Sequence, residues 1–184
     1  EEEDEGPEYD EHVWLSLKNA KILVSAIAEA LGRADPENAV LYAENAADYA
    51  LELSSLDEKY ADTVKSASKD VLLFADRFPF RYLTDDYSLK YYAAFVGCSA
   101  ETEASFDTII FLAEKVKELG LSSVMTIESS DGRLAEAVIS ASETEAGIVK
   151  IDSMQSVTKE DVAGGCTYLG IMEANLEALK AALN

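Results

Sequence analysis

The sequence has 184 residues and a mass of 20.0 kDa, the size of one domain or of one domain with an appendage. Hydrophobic residues make up 48% and charged residues 28%, which provides for a core and excludes wholesale disorder. Fifteen Lys and Arg stand against 36 Asp and Glu, and the net charge of −21 argues against a binder of nucleic acid or of an anionic membrane surface.

Residues 1–11 hold eight acids, Glu1 to Asp4, Glu5, Glu8, Asp10 and Glu11. Like charges at this density repel, so this stretch is predicted to be a mobile loop, and it reads as an interior loop of a longer protein. Residues 12–68 are read as linker helices. Ser16 is placed to cap a helix over Leu17–Leu31, with Ala20, Leu23, Val24, Ile27, Ala30 and Leu31 as its apolar stripe and Gly32 as its stop. Asp35-Pro36 supplies an N-cap acid and a first-turn proline for the next helix. In that helix Ala39, Tyr42, Ala46, Tyr49, Leu53, Leu56, Tyr60 and Val64 recur at three and four residues and form one seam. From Pro36 to Val64 it spans about 43 Å, a length suited to a strut between two lobes. Alanine and tyrosine are poor seam residues for a coiled coil, which ranks dimerisation lower.

After Lys69 the rhythm changes, and residues 69–184 are read as an α/β lobe. Four short apolar runs, Val71–Phe74, Tyr91–Val96, Ser123–Ile127 and Gly147–Ile151, alternate with amphipathic helices. One helix starts at Ser105 and stops at Gly120, another carries Leu134 to Ile139, and a last one carries Tyr168 to Leu183 after a partial cap at Thr158 and Asp161. The alternation predicts a four-stranded parallel sheet flanked by helices and preceded by the long linker helix. Neither a run of about 18 apolar residues nor a leader-like opening is visible.

Ligands of open α/β sheets bind beyond the carboxyl ends of the strands. Asp76, Glu128 and Asp152 stand at three such ends. The single histidine, His12, lies where the acidic stretch meets the first helix, and a neutral imidazole with carboxylates suits zinc or manganese. One histidine is too few for a closed site, so further ligands must come from elsewhere. A glycine-rich phosphate loop and a nucleophile elbow are absent, and Cys98 has no histidine to pair with except His12. The expectation is a protein that is not an enzyme; a magnesium enzyme using Asp76, Glu128 and Asp152 is the least favoured alternative. Cys98 and Cys166 permit either one disulfide or two unrelated thiols.

The run Glu11-His12-Val13-Trp14-Leu15-Ser16 and the helices after it resemble the zinc and manganese solute-binding proteins of ABC transporters, a family that includes zinc-uptake and adhesin-like lipoproteins. The likeness continues through Asp76 to Tyr82, Gly97 to Glu103, Thr126 to Ser130, Ile151-Asp152-Ser153 and Tyr168 to Leu176. The resemblance implies the second half of a two-lobed protein, with a missing N-terminal lobe and metal held between the lobes. It implies His12 and Asp152 as metal ligands. The family's third ligand falls on Ala75, which cannot coordinate, so adjacent Asp76 is the substitute candidate. It further implies Zn2+ as the ion with Mn2+ as the alternative, a membrane permease as partner, and an extracytoplasmic place at the cell surface or in the periplasm. A lipid anchor on an absent N-terminus and a Cys98–Cys166 disulfide follow from the same resemblance. The rival expectation is a surface adhesive or structural module of this fold without tight metal binding.

Overall fold

The computed structural model describes residues 10–95 and 104–184, so the expectations placed on residues 1–9 and 96–103, Cys98 included, lie outside the described residues. Two long helices come first. Helix α1 (Leu17–Ala34) is capped by Ser16, whose Oγ accepts from the Asn19 N–H at 3.0 Å and donates to Asp86 Oδ2 at 2.6 Å. Helix α2 (Ala39–Ser66) runs 28 residues, about 42 Å at 1.5 Å per residue. The two form an antiparallel hairpin, with Lys21 Nζ bonded to Asp57 Oδ2 at its base and Gly32 against Ala39 at its tip.

The tip differs from the expectation. Gly32 lies inside α1 and does not end it. A Cβ there would meet the Ala39 Cβ at 3.1 Å, so the missing side chain serves the helix contact. Asp35 stands at the expected N-cap position, but its side chain makes no regular cap bond. Its carboxylate accepts from Asn38 Nδ2 and Tyr42 Oη, and these side-chain bonds hold it below the usual carboxylate range. The expected apolar stripe of α1 is buried only at its base, at Ala20 beside Leu17, while Leu23, Ile27 and Leu31 stay exposed. The α2 seam follows the same gradient, from half-buried Tyr42 and Tyr49 to buried Leu53, Leu56 and Tyr60.

Strands β1 (Val71–Phe74), β2 (Lys90–Ala93), β3 (Ser123–Ile127) and β4 (Gly147–Ile151) form a four-stranded sheet in the order β2-β1-β3-β4, parallel at every pairing. Three strands have the bounds that the apolar runs predict. β2 begins one residue earlier and ends at Ala93, because the ladder and not hydrophobicity sets it: Lys90 N–H donates to the Asp70 carbonyl and Ala94 N–H to the Phe74 carbonyl. The crossovers are α3 (Arg81–Asp86), α4 (Phe106–Leu119) and α5 (Arg133–Ser142), and after β4 the short α6 (Lys159–Ala163) leads to α7 (Tyr168–Leu183), which closes the chain. Gly120 ends α4 at φ +58°, a left-handed conformation that glycine adopts at little cost. Thr158 and Asp161 make a full capping box for α6, and Thr167 separately caps α7.

Residues alternate across the sheet and feed two cores. On one face Leu72, Phe74, Met125, Ile127 and Ile151 pack with Leu15, with the lower half of α2 and with α7. On the other, Val71, Leu73, Ala75 and Val124 pack with Leu112, Ala113 and Val116 of α4 and with Ala135 and Val138 of α5. Each large apolar side chain buried in this way contributes roughly 1.5–3 kcal/mol relative to exposure. The lower half of α2 is bound further by Tyr60, whose hydroxyl donates to the Met172 carbonyl at 2.7 Å and whose ring stacks on Tyr87. Among the described residues no helix is long and apolar enough to cross a membrane.

Thr126 is fully buried in β3, and its Oγ1 has no hydrogen-bond partner among the described residues. A buried hydroxyl left unpaired costs about 1–3 kcal/mol. Thr126→Val keeps the shape and removes the orphan, so it is expected to stabilise the fold by about 1 kcal/mol in urea unfolding. A variant that unfolds at lower urea would show that the hydroxyl is paired in solution.

Candidate metal centre

The chain enters the fold through a short docked segment. Leu15 and Leu17 are buried anchors, and a single 3-10 turn over Val13–Leu15 sets Trp14 between them and His12. Three hydrogen bonds fasten the segment to separate elements. Tyr82 Oη of α3 donates to the Asp10 carbonyl at 2.9 Å, Tyr168 Oη of α7 donates to the Trp14 carbonyl at 2.7 Å, and Trp14 Nε1 donates to the Ser153 carbonyl at 3.0 Å. Burial pushes the Tyr168 phenol well above its usual pKa, which keeps it a donor.

His12 is 2% exposed and meets the edge of the Trp14 ring at 5.4 Å. Its Nδ1 lies 2.8 Å from Asp10 Oδ1, and the same oxygen accepts the His12 backbone N–H at 2.9 Å. Among the described residues, the ligand atoms of Asp10, Glu11 and His12 lie within 4.8 Å of one another. Asp10 and Glu11 belong to the stretch that sequence reasoning assigned to a mobile loop. Asp10 is ordered by its own bond to His12 and by Tyr82, contacts that no local pattern announces.

The strand-end acids occupy the carboxyl edge of the sheet. Because β1 and β3 are neighbours while their crossovers leave in opposite directions, the switch point of the topology lies between them. Asp76 bridges it: Oδ1 accepts from the Arg77 N–H at 2.8 Å and Oδ2 from the Ile127 N–H at 3.3 Å. Ala75 is directed the other way. It is 1% exposed and packs in the core under α4 and α5, opposite the face that holds Leu15. A ligand at position 75 would be buried in that layer.

Glu128 follows β3 and accepts from the Ser153 N–H at 2.9 Å, the Ser153 hydroxyl at 2.8 Å and the Ser156 hydroxyl at 3.0 Å. Burial acts to raise its pKa, but these bonds outweigh it and hold the carboxyl below its usual value. Glu128 therefore works as a clamp on the loop after β4. Asp152 is the opposite case. Burial raises its pKa first, and the charges of Glu128 and Asp161 add to this, against a single opposing bond from the Met154 N–H at 2.7 Å. Its backbone is fixed on both sides by buried Asn175 of α7, whose Oδ1 accepts the Asp152 N–H and whose Nδ2 donates to the Asp152 carbonyl, both at 2.8 Å. Asn175 was not singled out from sequence. A polar residue inside the apolar seam Met172–Leu176–Leu179 was the available signal.

The arrangement thus ties the histidine segment to the residue after Asp152 through Trp14. Asp76, Glu128 and Asp152 do not join the compact Asp10–Glu11–His12 group. Among the described residues Asp76, Glu128 and Asp152 do not form a compact group of ligand atoms, and the carboxylates of Asp76 and Glu128 already accept backbone and hydroxyl donors. Cys166 is a half-buried free thiol, so the disulfide with Cys98 is not supported.

Comparison with known proteins matches this fold. The Zn(II)-bound ZnuA-like domain of Streptococcus pneumoniae AdcA aligns with a TM-score of 0.77 and 32% identity, over 98% of this chain and 66% of that one. The laminin-binding protein Lbp of Streptococcus pyogenes aligns with a TM-score of 0.80 and 26% identity, over 96% of this chain and 65% of that one. In sequence, the chain is 34% identical over 181 residues to the zinc-binding lipoprotein AdcA of Streptococcus pneumoniae (strain ATCC BAA-255 / R6) and 31% identical over 174 residues to the high-affinity zinc uptake system protein ZnuA of Bacillus subtilis. It spans 35% of the former and 53% of the latter. Residues 1–182 match the family described as ZnuA, zinc-uptake complex component A, periplasmic, and the chain therefore belongs to the ZnuA family.

Proposed function

We propose that the chain forms the linker helices and C-terminal lobe of the extracytoplasmic solute-binding component of an ABC importer for zinc, and that His12 and Asp152 are ligands to the ion. The Trp14–Ser153 hydrogen bond carries this reading, because it holds the only histidine of the chain beside the loop that begins at Asp152. The zinc-binding relatives support zinc over manganese as cargo. Asp152 supplies the electrostatic motive: a half-buried carboxylate facing the charges of Glu128 and Asp161 is relieved by a cation. Asp76 is a weaker ligand candidate, since both oxygens already accept backbone N–H groups.

On this reading the remaining ligands come from an N-terminal lobe, the partner is a membrane permease, and the setting is the cell surface or periplasm with a lipid anchor ahead of this segment. No bond is made or broken by these residues; the work is capture and release of an ion. A second reading, a surface adhesive module without tight metal binding, draws on the likeness to the laminin-binding protein of Streptococcus pyogenes and on the single histidine. Elemental analysis of the purified protein separates the two, since stoichiometric metal is expected only on the first.

Calorimetric titration of zinc, with manganese in parallel, tests the ligand assignment. His12→Ala and Asp152→Ala are each expected to weaken zinc binding by at least about tenfold, as loss of a coordinating group does. Unchanged affinity in both would remove the assignment.

Asp152→Asn gives a prediction of opposite sign in the metal-free protein. The folded state raises the Asp152 pKa above 3.8, so Asp152 favours folding when protonated, and that contribution is lost as pH rises through the folded value. Ionised Asp152 is then a net cost at neutral pH. The asparagine keeps the acceptor for the Met154 N–H and removes the charge. In chelator, Asp152→Asn is expected to melt above wild type at pH near 7, and the gap is expected to close as the pH falls toward 3.8. A variant that melts lower across the whole range would contradict this.

A further inference from the structure

We infer that Asp10 is the positioning residue of the site: it fixes the tautomer of His12, placing the proton on Nδ1 and the lone pair on Nε2. The inference rests on the reading of His12 as a zinc ligand and adds to it the atom that binds.

The geometry leaves the carboxylate one role. Ionised Asp10 can only accept, and its Oδ1 lies 2.8 Å from His12 Nδ1, so Nδ1 must be the donor. The same oxygen accepts the His12 main-chain N–H at 2.9 Å, and this second bond sets its direction. Asp10 itself is held through its carbonyl by Tyr82 Oη. The ring is 2% exposed and braced by the edge of Trp14, so neither rotation nor bulk water exchanges the two nitrogens cheaply. A neutral imidazole with Nδ1 protonated presents Nε2 as its coordinating nitrogen, and a carboxylate behind Nδ1 fixes the orientation of the ring. A histidine free in water leans the other way, with the proton on Nε2. Asp10 thus works against the intrinsic preference of the ring, which a mere packing contact would not do.

His12 is the only histidine in the chain, so its ring nitrogens can be read without assignment ambiguity. The test is long-range proton–nitrogen NMR of the 15N-labelled, metal-free protein at mildly alkaline pH, followed by titration with zinc chloride. Wild type is expected to show Nδ1 protonated, with zinc perturbing the Nε2 resonance. Asp10→Ala keeps the carbonyl that Tyr82 binds, and is expected to move the proton to Nε2 and to weaken zinc binding by about 10–100-fold. Asp10→Asn, which retains the oxygen without the charge, is expected to keep the tautomer and to bind zinc with intermediate affinity. A wild-type ring protonated on Nε2 overturns the inference, as does an Asp10→Ala ring that keeps its Nδ1 proton. Zinc binding lost in His12→Ala but unchanged in Asp10→Ala overturns it as well. If the tautomer shifts as expected while His12→Ala binds zinc like wild type, Asp10 stands as the positioning residue and it is the ligand role of His12 that fails.

Discussion

The hydrogen bond from the Trp14 indole to the Ser153 carbonyl is the constraint on which the site depends. Tyr82, Tyr168 and buried Leu15 also anchor the segment from Asp10 to Leu15, but this bond is the one that ties it to the loop after β4. With it, two stretches 139 residues apart in sequence share one edge of the fold. The bond is supported from both ends. Tyr168 holds the Trp14 carbonyl, and Glu128 holds Ser153 by its N–H and its hydroxyl. Indole, phenol and carboxylate thus form a chain from α7 across the entering segment to the end of β3, and partially buried networks of this kind restrict a loop more than any one bond would.

The three strand-end acids are alike in sequence and differ in the structure because their donors differ. Glu128 receives three hydrogen bonds and is stabilised as an anion despite its burial. Asp152 receives one and is left to bear its burial and the charge of Glu128. Satisfying the clamp therefore loads its neighbour: the more firmly Glu128 is kept ionised, the more Asp152 is pushed toward protonation. Asn175 makes this tolerable. By bonding both the N–H and the carbonyl of Asp152 it fixes the backbone where the side chain has reason to move away.

Legibility from sequence followed the range of the forces involved. Val71–Phe74, Ser123–Ile127 and Gly147–Ile151 were readable because a short apolar run between turn residues has few other solutions. Ser16, Ser105 and Gly120 were readable because caps are local. β2 was displaced because its start depends on the Asp70 carbonyl across the ladder. Gly32 reads as a stop in the sequence because the contact that explains it, Ala39, belongs to the next helix. At the site, His12 was conspicuous by being alone, whereas the parts played by Asp10 and Asn175 are tertiary. Ala75 shows the limit most clearly. The alternation of the strand turns it into the core under α4, and position 76 emerges at the edge.

Counting donors decides how much of a metal site these residues can make. Zinc held in a closed site takes four ligands. Of the acids near the carboxyl edge, Glu128 is spent on Ser153 and Ser156, and Asp76 spans β1 and β3 through two backbone N–H groups. On the reading proposed above this leaves Asp152 as the one strand-end carboxylate to join the His12 imidazole, whose own neighbours Asp10 and Glu11 are the nearest further oxygen donors. Burial also falls along the hairpin. Leu53, Leu56 and Tyr60 are buried where α2 meets the sheet, while Ile27 and Leu31 toward the tip of the hairpin are 58% and 45% exposed. On the proposed reading, ligands from a second lobe would complete the shell at this edge, and the bonds that hold Asp10, Trp14 and Asn175 keep this side of it in shape whether or not an ion is bound.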